Sequence, residues 1–181
     1  MKGIAAGLVF LINFYVVNAQ RVIYSEPDKN DYRQTQFEII GKVSGNILIY
    51  KNLRSSYIMG IYDMSMKQKE RIKLDFLPDR IINADFLAYP DFCYMFYQYQ
   101  RRSVVYAMTA KLDANGKIQG KPLTMDTTEI SFLASNKIYS VINSDDKQYI
   151  GLFKINSKND DNYVVTTVLY NKDLEKKKNN T

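Results

Sequence analysis

The sequence predicts an all-β chain made of antiparallel hairpins. From Gln36 onward, short runs rich in Ile, Val, Tyr and Phe alternate with polar turns, which is typical of strands. Helical periodicity is not sustained beyond about two turns anywhere in the chain. The chain also contains explicit turn sequences whose Gly and Asn residues accept the positive φ of tight hairpins, at Val43–Asn46, Asp113–Gly116 and Asn143–Asp146.

The first nineteen residues have the features of a secretory signal peptide. Lys2 precedes an apolar run from Ile4 to Val17, and small residues stand at Val17 and Ala19. The run is about fourteen residues long, whereas a membrane-spanning helix needs roughly 20. We therefore expect cleavage between Ala19 and Gln20, a lead segment over 20–35, and a secreted or periplasmic protein with no transmembrane span after cleavage.

The predicted strands fall into three similar groups of four, over about 36–76, 81–126 and 130–171. Corresponding first strands contain Ile40, Leu87 and Leu133, which are 47 and 46 residues apart. The predicted third strands end in an apolar residue followed by Asp or Asn, at 62–63, 112–113 and 155–156, so these endings are 50 and 43 residues apart. Self-similarity at such a period indicates a repeat architecture.

Four short antiparallel strands per unit, at this period and in an exported chain, resemble the blades of a β-propeller. The pattern over Gln36 to Asn171 is similar to the N-terminal blades of bacterial secreted six-bladed or WD40-like propeller-repeat proteins. The resemblance implies a partial β-propeller of three four-stranded blades. It carries over no functional residues, because the chain has no Trp and so no Trp-Asp blade ending.

Three units are too few for a propeller, which closes with typically four to eight blades. Three arrangements would resolve this: the front part of a longer propeller, a ring completed by oligomerisation, or a closed antiparallel β-barrel or sandwich. The residues that follow the third unit, 172–181, are polar and Lys-rich, and we expect them to be a disordered tail.

Composition excludes several kinds of chemistry. The chain has no His and a single Cys, so it cannot form a Ser-His-Asp triad, a Cys-His dyad, a His-bearing zinc site or an internal disulfide.

Cys93 lies in a strongly apolar strand, where we expect a buried, unreactive thiol. Asp113–Lys117 resembles the start of a calcium loop, but Thr124 stands where an EF-hand has Glu, so a hairpin turn is predicted. We assign no catalytic residue, metal or cofactor.

The densest aromatic segment, 94–102, supplies the candidate ligand-binding residues. Tyr97 and Tyr99 share one face of the strand, and Arg101 and Arg102 follow them; Tyr beside Arg can stack on sugar rings or bind anionic groups. The alternative is a strand buried between two sheets that ends in a basic hairpin turn, and this alternative is favoured because both of its faces are apolar.

These observations predict an exported, non-catalytic β-repeat module that acts as a binding or structural scaffold, with a protein or glycan of the cell envelope as its partner. The first alternative is the N-terminal part of a propeller enzyme such as a carbohydrate-active hydrolase. The second is a barrel that binds an apolar ligand. Nucleic acid is not expected, because the net charge is only +6 and basic residues accompany the aromatic ones only at Arg101 and Arg102.

Overall fold

The computed structural model describes residues 22, 24, 35–53, 56–131, 133–159 and 162–180. The predicted signal peptide, its cleavage site between Ala19 and Gln20 and most of the lead segment lie outside these residues. Across the described ranges the chain forms twelve strands and no helix, which confirms the all-β prediction. The strands are β1 (Thr35–Val43), β2 (Asn46–Leu53), β3 (Ser56–Tyr62), β4 (Gln68–Lys73), β5 (Asn83–Ala88), β6 (Phe92–Arg101), β7 (Val104–Asp113), β8 (Leu123–Glu129), β9 (Tyr139–Asn143), β10 (Tyr149–Asn159), β11 (Asn162–Asn171) and β12 (Lys176–Asn180).

The strands form three separate antiparallel sheets of four, each in simple chain order. Sheet 1 contains β1–β4, sheet 2 contains β5–β8 and sheet 3 contains β9–β12. In the described part of the chain none of the three sheets closes on itself. The closed barrel that the sequence left open is therefore wrong.

The predicted strands of the first two units match the sheets, whereas the third unit is displaced by one strand. Residues 130–134 were expected to be a strand, but the described ones, 130, 131, 133 and 134, lie in the connection before β9, and residues 176–180 supply the fourth strand instead. The expectation of disorder over 172–181 is thus wrong for this stretch. β12 pairs with β11 through backbone bonds, with Leu169 opposite Lys178, so it needs no apolar side chains. Lysines on such an edge strand oppose further strand pairing.

The third strand of every sheet ends in the same side-chain-capped turn. The turn residues are Asp63, Asp113 and Asn171, and each side-chain Oδ1 accepts the N–H groups of the residues two and four positions ahead. These N···O distances are 2.9 and 3.0 Å, 2.9 and 2.9 Å, and 3.2 and 2.8 Å, respectively. This geometry confirms the turn predicted at Asp113.

Sheet 2 lies between the other two sheets and has an apolar core on each side. On β6, Cys93, Met95 and Tyr97 pack toward sheet 1, whereas Tyr94 and Phe96 pack toward sheet 3. The favoured interpretation of this segment, a strand buried between two sheets, is confirmed. Cys93 is fully buried, and burial, followed by the charge of Asp113, raises the pKa of its thiol to about 12.

Gln98 fixes the connection between sheets 2 and 3. Its buried side chain accepts the N–H groups of Ile138 and Tyr139 at 3.0 and 2.8 Å and donates to Asn83 Oδ1 at 2.7 Å and to the Tyr139 carbonyl at 2.8 Å. Nearby, Gln100 Oε1 accepts the N–H of Ala134 at 2.8 Å. These bonds hold residues 134–139 against β6, so the connection has partners for its backbone without forming a strand.

Candidate binding cleft between the first two sheets

A cleft of about 290 Å³ lies between sheet 1 and sheet 2, where their first strands, β1 and β5, run beside each other. This volume is near the lower end of the range for small-molecule sites, roughly 300–1,000 Å³. Its lining comes from β1, from β2, from the segment that leads into β5 and from the first residues of β5. The lining residues are Gln36, Phe37, Glu38, Tyr50, Asn52, Ile81, Ile82, Asn83 and Ala84.

The strand register and a few hydrogen bonds position this lining. Glu38 stands directly opposite Tyr50 in the β1–β2 ladder, so both side chains lie on the face of sheet 1 that is turned toward sheet 2. The other wall is held by backbone bonds. The N–H of Ile82 donates to the Gln98 carbonyl at 2.6 Å, and the N–H of Ile81 donates to the Tyr57 hydroxyl at 3.0 Å.

Tyr50 is the buried member of the cleft. It is 6% exposed, and its ring packs against Phe86 with centroids 5.1 Å apart and against Tyr57 with centroids 6.4 Å apart. The Tyr57 hydroxyl has partners, since it also donates to the Asp79 carbonyl at 3.3 Å. The Tyr50 hydroxyl, by contrast, has no hydrogen-bond partner in the described part of the chain.

An unpaired buried hydroxyl is unfavourable. Leaving a buried donor or acceptor without a partner costs about 1–3 kcal/mol. Burial, and then the nearby Tyr57 and Glu38, raise the pKa of Tyr50 well above its ordinary value, so the hydroxyl keeps its proton at physiological pH. Tyr50, which lines the cleft, therefore carries one neutral, buried hydroxyl that can both donate and accept a hydrogen bond.

Carboxylates give the cleft its electrostatic character. Partial burial, and then the charge of Asp85, raise the pKa of Glu38. Asp85 accepts a hydrogen bond from Asn83 Nδ2 at 2.8 Å, and the Lys137 ammonium lies 3.8 Å from its other oxygen. Because the lining residues that the structure describes include no Lys or Arg, this part of the cleft favours groups that donate hydrogen bonds over anions.

The four residues predicted to bind a ligand lie elsewhere. Tyr97 is 3% exposed within the core between sheets 1 and 2. Tyr99 is half-buried and stacks on Tyr106 with centroids 5.0 Å apart, while Arg101 and Arg102 are exposed at the β6–β7 turn. The structure thus brings Tyr99 and the two arginines to one end of β6 and leaves the ring of Tyr97 in the core. Their role as ligand contacts stays a prediction.

Sequence reasoning did not find Glu38, Tyr50, Asn52 or Asn83. Period-two alternation could have placed Glu38 and Tyr50 on inward faces of their strands, because each stands at an alternate position. The missing partner of the Tyr50 hydroxyl depends on how two sheets pack and has no signature in the local sequence.

The described residues hold no cluster of three or more side chains suited to bind a metal ion. They also contain no helix with the length and apolarity needed to cross a membrane. No family model, curated protein or solved structure matches the chain.

Proposed function

We propose that this chain is an exported, non-catalytic β-repeat module of the propeller type that serves as a binding scaffold, with the cleft between β1 and β5 as its ligand site. The observation that carries the proposal is the unpartnered, buried hydroxyl of Tyr50, a residue that lines a cleft with polar walls. A bound ligand that pairs with this hydroxyl would remove the cost of burying it.

The propeller assignment is supported by how the sheets are arranged. Three separate four-stranded meanders stack face to face, and the first strands of sheets 1 and 2 are neighbours. Blades around a common axis have this relation, because their first strands converge on the axis. Export is supported by the composition of residues 1–19.

The chemistry of the cleft favours a small ligand rich in hydroxyl groups, such as one sugar unit of an envelope glycan. Carboxylate and amide oxygens of Glu38, Asn52 and Asn83 can accept hydrogen bonds from hydroxyls, and the amide nitrogens can donate to them. A protonated amine is the competing ligand class, because it would pair with Glu38 directly.

Titration calorimetry of the purified chain with a panel of monosaccharides and a panel of primary amines tests this proposal. We expect a sugar to bind, and we expect Tyr50→Phe to weaken the binding several-fold through loss of one hydrogen bond, worth about 1 kcal/mol. Glu38→Gln should weaken an amine far more than a sugar. Thr109→Val is the matched control, because it removes another buried hydroxyl, outside the cleft. The absence of binding, or binding that is unchanged in Tyr50→Phe, would refute the cleft as the site.

A second candidate function is that of a carbohydrate-active hydrolase. It is favoured by Glu38, because a carboxyl that keeps its proton to higher pH beside a second carboxylate has the property of a general acid. Release of reducing ends from oligosaccharides that is lost in Glu38→Gln would establish this function instead.

Edman sequencing of the exported protein tests its localisation separately. The sequence that it reads should begin at Gln20, and an intact Met1 on membrane-bound material would contradict export.

A further inference from the structure

One face of sheet 1 is buried, although no described sheet packs on it. Leu48, Met59 and Ile61 lie on the other face, in the core shared with sheet 2. The alternate residues of β2 and β3 belong to neither apolar core. Four of these residues are only 4–8% exposed: Ile49, Leu53, Ile58 and Tyr62. The face that carries these four side chains is called the outer face.

Sheet 3 shows how exposed apolar side chains are on a face that no described sheet covers. On its face turned away from sheet 2, five such side chains are 37–59% exposed: Ile142, Tyr149, Ile155, Val165 and Leu169. Neighbours within one sheet therefore do not account for exposures of 4–8%. Additional chain covers the outer face of sheet 1 over β2 and β3. It does not cover β1, where Phe37 and Ile39 are 67% and 61% exposed.

The outer face of sheet 1 also carries positive charge. Lys51 stands beside Ile58 in the β2–β3 ladder, and Arg71 and Lys73 lie on the same face of β4. The strand residues that the structure describes on this face are apolar, neutral or basic, with no Asp or Glu among them. A segment that suits this face therefore combines apolar side chains with carboxylates.

The part of the lead segment before β1, residues 20–34, has this composition. Residues 22–24 are Val, Ile and Tyr, and residues 26–31 carry three carboxylates and one ammonium. β1 begins at Thr35 opposite Leu53, so the residues before it enter at one end of the outer face. Fifteen extended residues reach about 50 Å, whereas four paired strands are roughly 15 Å across. The segment is thus long enough to cross the face.

We propose that residues 20–34 fold back over the outer face of sheet 1 and cap it, with Ile23 as the apolar anchor. Val22 and Tyr24 are described, and they are 64% and 85% exposed. In an extended segment the residue between two outward side chains points the opposite way, which here is toward the sheet. The inference does not depend on whether the cleft between β1 and β5 binds a ligand.

Charge favours this segment over the apolar run at residues 4–17. That run contains no acidic residue, whereas residues 26–31 bring carboxylates to the face that carries Lys51 and Arg71. A cap also has a clear purpose. A stack of repeats needs a polar outer surface at its ends, and an open apolar face on sheet 1 would associate with other molecules.

Thiol labelling tests whether the outer face is covered. Ile58→Cys places one thiol on this face, and the native Cys93, fully buried in the core shared with sheet 2, is the internal control. Both thiols should react slowly with a maleimide in the folded protein and rapidly in urea, with peptide mapping to separate the two sites. Rapid labelling of Ile58→Cys in the otherwise unmodified, folded chain would refute the cap.

Substitutions at the anchor identify the covering segment. In the Ile58→Cys chain, Ile23→Asp should speed labelling at position 58 about tenfold to a hundredfold, because an apolar side chain loses its burial. Val22→Asp is the matched control and should leave the rate unchanged, since Val22 is already exposed. Cys93 should stay protected in both. If Ile23→Asp exposes Cys93 as well, the milder Ile23→Ala provides the same comparison.

Two further comparisons separate the lead segment from other covers. Glu26→Gln with Asp28→Asn and Asp31→Asn should speed labelling at position 58 by about two- to fivefold, whereas Lys29→Gln should not. Chains that begin at Met1 and at Gln20 should protect position 58 equally. Rapid labelling of only the shorter chain would assign the cover to residues 1–19 and refute the inference. Protection that survives both Ile23→Asp and the neutralised acids would refute it too, because another segment would then be the cover.

Discussion

Replacing Tyr50 by Phe should stabilise the protein while impairing its binding site. The substitution removes one oxygen atom and keeps the ring, which packs against Phe86 and Tyr57. Since the Tyr50 hydroxyl has no partner in the described structure, it loses its hydrogen bonds to water on folding and gains none in their place. An improvement in stability at the expense of binding is the expected behaviour of a residue retained for a ligand.

The magnitude follows from the cost of an unsatisfied buried group. Removing it should raise the free energy of unfolding by about 1–3 kcal/mol. A domain of 150–250 residues gains roughly 2–4 °C in melting temperature for each kcal/mol, so Tyr50→Phe should melt roughly 2–12 °C higher. Thr109→Val removes the other unpaired buried hydroxyl among the residues that the structure describes and should give a gain of the same sign.

Urea unfolding followed by circular dichroism, with and without the ligand found in the titrations, measures both effects. Ligand should stabilise the unmodified protein and Thr109→Val equally, and Tyr50→Phe less. If Tyr50→Phe lowers the free energy of unfolding, then the hydroxyl has a stabilising partner in the folded protein. No ligand would then be needed to satisfy this hydroxyl.

Three further substitutions test the packing and the charges. Gln98→Leu removes the acceptor of two buried N–H groups and should cost about 2–5 kcal/mol in urea unfolding; a cost under 1 kcal/mol would contradict its role. Gly116→Ala should cost about 1–3 kcal/mol more than Gly120→Ala, because both positions have positive φ but only at Gly116 would a Cβ lie 2.8 Å from Met59 Cγ. Equal melting temperatures for the two variants would contradict this. Glu38→Gln should stabilise the protein at pH 7, because the raised pKa of Glu38 means that ionising this carboxyl destabilises the folded state as pH rises above 4.5. The gain in stability should vanish below that pH. A gain that grows toward acid pH would contradict this prediction.

The first two sheets could be predicted from the sequence because their signals are local. Alternation of apolar side chains marks a strand with one buried face, and the continuous apolar run of β6 marks a strand with two. Both follow from the two-residue period of an extended chain. Turn residues such as Gly45 and Gly116, which adopt φ of 83° and 72°, then mark where these strands end.

The third sheet could not be placed correctly by the same rules. Residues 130–134 contain strand-forming side chains, yet the N–H groups of Ile130 and Ala134 donate to the Ser103 carbonyl and to the Gln100 side chain instead of a neighbouring strand. Conversely, β12 consists of Lys and Asn, which disfavour strands, and it forms because β11 leaves an edge to pair with. In both places tertiary partners override local preference.

The cleft was missed for a related reason. Glu38, Tyr50 and Asn83 come from three strands, and the site is formed only where two sheets meet. A strand pattern can show that a side chain points inward. It cannot show whether a hydroxyl at that position has a partner, because the partner would come from a different sheet.

The capped turns separate residues that serve the fold from residues available for function. Asp63 and Asp113 carry conspicuous carboxylates, and carboxylates in turns invite assignment as cation ligands. Asn171, however, makes the same pair of side-chain bonds to its turn with a neutral amide oxygen. The position therefore needs an acceptor oxygen and not a negative charge, so the acids at 63 and 113 are explained by backbone satisfaction alone. Tyr50 is the opposite case, because its hydroxyl satisfies nothing in the described fold, and this contrast is why the cleft rather than the acidic turns is the place to look for a ligand.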